Sequence, residues 1–429
     1  MIYSWKKTKQ QIEHYALYLT IAVSLVSISA STAFHFLARE SLQEFVAAIV
    51  AVICTSSLTR FGTRGIVTRL QENDYEFAAG VARNIAEICF VITAVVDGKH
   101  LIAKTALTGS IVSSCLMTFG TCLVCGGIFH KQQFYPLVIA RLNAQLLVVS
   151  LVSVTLPTAF QLFSKGKSST GLIAVSRGSA VVLLVEFFCY LWFFYHTHVD
   201  IASDTPSIQS ALVASGLSAT HAVPELTNLL NESKGACSLR ALREGALEFH
   251  PGIGNTRRPW YMDALVLICA VVGMVFASIF LLEGVHAPTH TLHLSESFVG
   301  LIVMPLVLAS VEYVSHALRC RREGIAWIVD AAFGSSIRIS LFVFPVAIIV
   351  GWATGEVMDM IFDGFQVTII GLAIFMVNHV IHNEFAHWWV KTLLLLRLPT
   401  DRNNRLEGSM FVASFLLFAI ASAYYPNEA

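Results

Sequence analysis

Apolar residues run along this chain in long unbroken blocks rather than in alternation. About eleven blocks approach the ~20 apolar residues that a helix needs to cross a hydrocarbon core. They centre on residues 17–37, 43–63, 78–96, 102–127, 144–163, 172–195, 262–284, 297–318, 325–352, 364–382 and 408–426. Strands crossing a membrane would show a period of two, which these blocks lack. Because lipid offers no partner to backbone N–H and C=O groups, such runs select helices. The expected fold is an all-α polytopic membrane protein of about 11 transmembrane helices.

Composition agrees: hydrophobic residues make up 55% and charged residues 13%, about half the charge of a soluble domain. The formal net charge is zero, so no basic face points to a nucleic-acid partner. The placement of the charges carries more. Lys6, Lys7 and Lys9 precede the first block; Arg64 and Arg69 follow the second; Lys131 and Arg141 follow the fourth; Arg319, Arg321 and Arg322 follow the eighth; Lys391, Arg397, Arg402 and Arg405 precede the last. If the spans alternate in direction, all of these share one face. The opposite loops hold Glu40, Glu44, Asp97 with Lys99, Glu283, Glu296, Glu356, Asp359 and Asp363, and only Lys165 and Lys167 break the pattern. The positive-inside rule then puts the N-terminus in the cytosol and the C-terminus in a lumen or outside. No cleavable signal peptide is expected, since the first block is long enough to span and is not followed by a small-residue exit.

Chemistry resides in two glutamates. Glu87 and Glu312 lie inside apolar blocks, and each is followed 22 residues later by a Gly-Ser pair, Gly109-Ser110 and Gly334-Ser335. Both the glutamates and the glycines are 225 residues apart. One register of carboxylate, spacer and Gly-Ser in two places predicts two related halves, each giving one acid to a common site. Five blocks separate the glutamates, so their segments cross in opposite directions and the halves are inverted repeats. Repeats of that kind build transporters with a midplane site and alternating access. The predicted organisation is a tail and first, peripheral helix over 1–42, a first five-helix repeat over 43–195, a cytosolic linker loop over 196–261 and a second repeat over 262–429. Small residues also serve helix packing, but packing alone does not call for a carboxylate at matched spacing. An intramembrane acid costs roughly 2.5–3.5 kcal/mol to insert and marks function.

Other features weigh less. Cys122 and Cys125 form a C-x-x-C pair on an apolar helix, where cysteines act as small apolar residues. His286, His290 and His293 crowd one loop and read as solvated, with a weak metal or pH-sensing patch as the alternative. His382 and His387 are five apart, one too many for the shared face of H-E-x-x-H. The Asn231-Glu232-Ser233 sequon lies in the expected cytosolic loop and should carry no glycan.

The segments Arg83-Asn84-Ile85-Ala86-Glu87, Gly109-Ser110-Ile111-Val112-Ser113-Ser114, Leu308-Ala309-Ser310-Val311-Glu312 and Gly334-Ser335-Ser336-Ile337-Arg338 resemble the repeat motifs of the calcium/proton exchangers within the cation/calcium exchanger superfamily. Asn143-Ala144-Gln145, Ser176-Arg177-Gly178 and Leu406-Glu407-Gly408 agree with it. The resemblance implies one peripheral helix plus two inverted five-helix repeats, and a proton-coupled antiporter moving cytosolic Ca²⁺ into an acidic organelle, most naturally a vacuole. It implies an ion-binding set of Glu87, Glu312, Asn84, Gly109, Ser110, Gly334, Ser335 and Ser336, with Glu87 and Glu312 on the metal. It needs no cofactor besides the transported Ca²⁺ and H⁺, and the partners are those ions and the bilayer. Mn²⁺ or a monovalent cation stays open as substrate, as does the oligomeric state. Ca²⁺ takes about six to eight oxygens at roughly 2.3–2.6 Å. Carboxylates withdrawn from water favour their protonated form, so one pair of acids serves either ion in turn.

Four residues depart from the family pattern: Arg83 for Gly, Ala309 for Asn, Tyr313 for His and Arg338 for Gln; in addition, Arg64-Gly65 stands where a pair of acids is expected. These modify selectivity, and they sustain an alternative in which a divergent homologue has altered or lost transport and acts by binding or regulation. Residues 384–400 look inserted relative to the family. An enzyme is not expected, because no nucleophile and base recur together.

Overall fold

The computed structural model describes residues 2–39, 41–67, 69, 82–129, 137–164, 169–192, 259–292, 294–323, 328–356, 358–394 and 404–425. The sequon, Lys165, Lys167, His293, and residues 395–400 of the expected insertion lie outside them; so does nearly all of the linker.

The described residues are mostly helical, with no strand among them. The first half comprises α1 (Ile2–Leu37), α2 (Leu42–Val67), α3 (Ile85–Val96), α4 (His100–Ser113), α5 (Phe119–Phe129), α6 (Leu137–Ser164) and α7 (Ser169–Trp192). The second comprises α8 (Trp260–Glu283), α9 (His286–Leu292), α10 (Glu296–Phe298), α11 (Met304–Leu308), α12 (Ser310–Glu323), α13 (Ile328–Arg338), α14 (Phe344–Thr354), α15 (Gly364–Leu394) and α16 (Asn404–Ala423). Among the described residues nine helices are long and apolar enough to span a membrane, a bent pair makes a tenth, and α3 is a shorter apolar helix at the position of the third block. α15 continues past residue 384, so the start of the expected insertion extends a helix rather than forming a loop.

Three π turns widen the rods. Ser114–Thr118 joins α4 to α5, Val299–Val303 joins α10 to α11, and Ile339–Val343 joins α13 to α14. Two of them have a visible cause, because Pro305 and Pro345 stand at the start of the helix that follows. A proline has no N–H for the carbonyl four residues before it and its ring crowds that carbonyl, so the backbone opens locally.

The two halves are enclosed in a matched way. The rods His100–Ile128 and Ala332–Thr354, which carry the two Gly-Ser pairs, are each 72% buried, whereas the other spans range from 22% to 50%. These rods form the centre, and α1, α6, α7, α8, α15 and α16 turn large apolar side chains outward where lipid would lie. Phe119 meets Phe333 at 4.8 Å between ring centroids, so the two central rods pack directly on each other. α2 packs along α8, and Gly62 admits the backbone of Leu267 there.

Close approach also explains Gly109. The carbonyl four residues before Pro305, which proline leaves without its i+4 donor, belongs to Leu301, and that oxygen lies against the Cα of Gly109, with Pro305 Cγ 2.6 Å from where a Cβ would stand. Gly300 returns the contact by facing Thr105 Oγ1. Gly109 therefore serves the crossing of α4 over the second half. Gly109→Ala would push a methyl into backbone that has nowhere to go. We expect it to destabilise the protein by about 1–3 kcal/mol, read as a lower unfolding midpoint in detergent; an unchanged midpoint would contradict this packing.

Candidate ion-binding site

Both glutamates follow a break in the backbone. Asn84 (φ −97°, ψ 16°) and Ala309 (φ −95°, ψ 6°) adopt the same conformation, one that is sparsely populated and common at functional sites. The breaks are 225 residues apart, and so are the starts of the π turns at Ser114 and Ile339. The register seen in the glutamates is thus a register of the backbone. At Ala309 the rod bends by 56°. Glu87 and Glu312 occupy the first turns of α3 and α12, where unsatisfied N–H groups and the helix dipole favour negative charge.

Glu87 is 2% exposed and its Oε2 has no hydrogen-bond partner among the described residues. Glu312 is half-buried, and the two carboxylates lie close enough for their charges to act on each other. An unpaired buried carboxylate oxygen next to a second acid has the chemistry to take a cation or a proton.

Bonds across the halves frame the pair. The Asn84 amide donates to Ser335 Oγ at 3.2 Å, and Tyr313 OH donates to Ser113 Oγ at 2.8 Å. Each broken helix thereby reaches the Gly-Ser helix of the other half. Ser336 Oγ donates to the Ile111 carbonyl at 3.3 Å and lies 3.2 Å from Cys115 Sγ, which ties the two Gly-Ser helices together. Gly334, Ser335, Ser336 and Ser110 are all buried at this crossing.

Arg338 faces inward. It is 9% exposed, its Nε donates to Asn84 Oδ1 at 3.0 Å, and its charge reaches Glu87. The guanidinium therefore occupies the amide oxygen that Asn84 would otherwise offer to an ion. Arg83 is half-buried and sits with Arg60, Arg319 and Arg338 within electrostatic reach of the buried His316. Arg60 also donates to Ser315 Oγ at 2.9 Å. This arginine-rich shell lies toward the C-terminal ends of α2 and α12. Gly65, where the family pattern has an acid, is covered by the carboxylate of Asp263 from α8, with Oδ1 2.6 Å from where a Cβ would be. Asp263 pairs with Arg69 at 2.6 Å. An acid is thus supplied to that position from the other half.

Sequence reasoning did not single out Ser113 as a site residue, although the 225-residue offset that links the glutamates also pairs Ser113 with Arg338. Thr118, near the Tyr313 hydroxyl, and Thr108, buried with its hydroxyl unpartnered, carried no signal in the sequence. The Cys122-x-x-Cys125 thiols are free and buried or half-buried. His286 is exposed and lies 3.3 Å from Glu296 Oε1.

Solved structures share this architecture. Native YfkE superposes with a TM-score of 0.67 at 17% identity, covering 95% of this chain and 100% of that one. The H⁺/Ca²⁺ exchanger CAX gives 0.59 at 14% identity, over 96% and 95%. Among curated proteins, a Ca²⁺/H⁺ antiporter of Synechocystis is 26% identical over 94% of this chain and 97% of its own length. A vacuolar calcium ion transporter of Schizosaccharomyces pombe is 24% identical over 89% and 79%. The sodium/calcium exchanger protein family matches residues 16–196 and 262–424, the two membrane halves on either side of the linker, and the chain belongs to that family.

Proposed function

We propose that this protein is a proton-coupled cation antiporter that exchanges Ca²⁺ for H⁺ by alternating access at the site between its halves. The observation that carries this reading is the pair of glutamates in the first turns of two matched broken helices, one with an unsatisfied buried oxygen. The carboxylates of Glu87 and Glu312, the Asn84 amide and the hydroxyls of Ser110, Ser335 and Ser336 supply the oxygens that a hard divalent cation takes. Protons occupy the same carboxylates in the return step, and mutual exclusion couples the fluxes. Relatives that align over nearly the whole chain and are named Ca²⁺/H⁺ antiporters support Ca²⁺ over Mn²⁺ or a monovalent ion as cargo. A homologue without transport is disfavoured, because both glutamates stand in place.

Vacuolar relatives and the charge pattern support an acidic organelle membrane with the basic loops in the cytosol. A single cysteine at Arg321 should then react with an impermeant thiol reagent from the cytosol, and one at Asp359 only from the lumen. Reaction from one side at both positions would break the inverted topology, since one span separates them. Transport itself is tested with purified protein in vesicles. A pH gradient, acid inside, should drive uptake of radiolabelled Ca²⁺, and uptake equal to that of empty vesicles would overturn the proposal.

A further inference from the structure

On the face opposite the basic loops, far along the chain from the ion site, three helices bring metal-ligating atoms to one point. His35 ends α1, Glu44 begins α2 and Glu283 ends α8, and one ligand atom from each lies within 4.8 Å of the other two. His35 Nδ1 is 2.7 Å from Glu44 Oε1 and 3.3 Å from Glu283 Oε2. We infer that His35, Glu44 and Glu283 form a second, structural site for a divalent transition-metal ion of the Zn²⁺ type, which fastens the peripheral first helix to both halves of the exchanger.

The donor set argues for the class of ion. One imidazole nitrogen with two carboxylates suits Zn²⁺ and its neighbours, whereas Ca²⁺ takes oxygen alone. Ligand bonds of roughly 2.0–2.2 Å set neighbouring ligand atoms about 3–3.5 Å apart, and His35 Nδ1 lies 2.7 and 3.3 Å from its two carboxylate partners. Burial argues that a cation belongs there. The Glu44 side chain is fully buried beside a second acid, and the His35 that contacts it is a full counter-charge only when protonated. A buried carboxylate is tolerated when a firmly bound positive charge meets it. Arg39 meets Glu283 at 3.4 Å from a side chain that is 66% exposed. The imidazole is held in place by the ring of Phe280 at 4.9 Å, and the Glu44 amide is capped by Ser41 Oγ at 3.2 Å.

α1 stands outside the two repeats, and its contacts are with α2 and α8. Those are the helices that give the other two ligands, so the ion would close the one junction that the repeats themselves do not provide.

Zn²⁺ alone is the probe, added to the purified full-length protein and measured by competition with a chromophoric chelator and by the unfolding midpoint. We expect one high-affinity Zn²⁺ per chain and a raised midpoint. His35→Gln and Glu44→Gln should each weaken binding by ~10–100-fold and remove the Zn²⁺-dependent rise. If Glu44→Gln fails to fold, Glu283→Gln, at a side chain 26% exposed, gives the same reading. The doubly substituted Glu87→Gln, Glu312→Gln protein should keep the site, as should His286→Ala at the start of the neighbouring α9. Absence of stoichiometric Zn²⁺ binding would overturn the inference. So would binding that survives His35→Gln and Glu283→Gln together, or that is lost with the central glutamates or with His286.

Discussion

Glu87→Gln and Glu312→Gln are each expected to lower proton-driven Ca²⁺ uptake by ~100-fold or more, in keeping with how strongly ligand charge sets Ca²⁺ affinity, while the protein stays folded and inserted. Glutamine keeps the volume and loses both the charge and the titrating proton, so the site loses one of its two acids in either variant. The loss should be more severe than at the hydroxyls: Ser335→Ala removes a neutral oxygen and the Asn84 contact at 3.2 Å but no charge. Size-exclusion profile and unfolding midpoint separate lost chemistry from lost fold. Wild-type transport by either glutamine variant would remove that glutamate from the site.

Arg338→Gln should act in the opposite direction. A guanidinium stays charged at any accessible pH, and Arg338 holds its charge beside Glu87 while taking the Asn84 oxygen at 3.0 Å. It thus competes with the cargo for two of the site's ligands. A fixed charge several ångströms away contributes on the order of 2–4 kcal/mol at an effective dielectric near 20, part of which relaxation recovers. We expect Ca²⁺ affinity to rise about tenfold, ~1.4 kcal/mol, with a further rise when Ala309→Asn restores an amide at the second break. If affinity is unchanged or falls, Arg338 serves as a structural partner of Asn84, and its charge is not part of the ion's energetics.

The spans were legible because lipid admits few alternatives to a long apolar helix, and the repeat was legible because costly intramembrane acids recur at one offset. The inward direction of Arg338 also follows from its place one turn beyond Gly334. The breaks at Asn84 and Ala309 were not legible. Ala309 is an intrinsically good helix former, and tertiary contacts to the other half, absent from any local pattern, set its conformation. The π turns were half legible: Pro305 and Pro345 announce two of them, but Ser114–Thr118 is followed by Phe119-Gly120 and has no proline. Gly109 was read as a place for an ion to approach backbone, and the approach it makes is to the Leu301 carbonyl of the opposite half. Sequence places a glycine on a helix but does not say which neighbour fills the space it leaves. Arg83 illustrates the same limit, since its charge reaches His316, a residue far away in the sequence.

The account stands on one claim, that Glu87 and Glu312 hold either Ca²⁺ or protons. Ion-binding groups that must give up protons release them when the metal arrives. Ca²⁺ added to the purified protein in weak buffer, at a pH where the site is protonated, should therefore release about one to two protons per ion bound, and the Glu87→Gln, Glu312→Gln protein should release none. Ca²⁺ binding without proton release, or equal release from the doubly substituted protein, would contradict it.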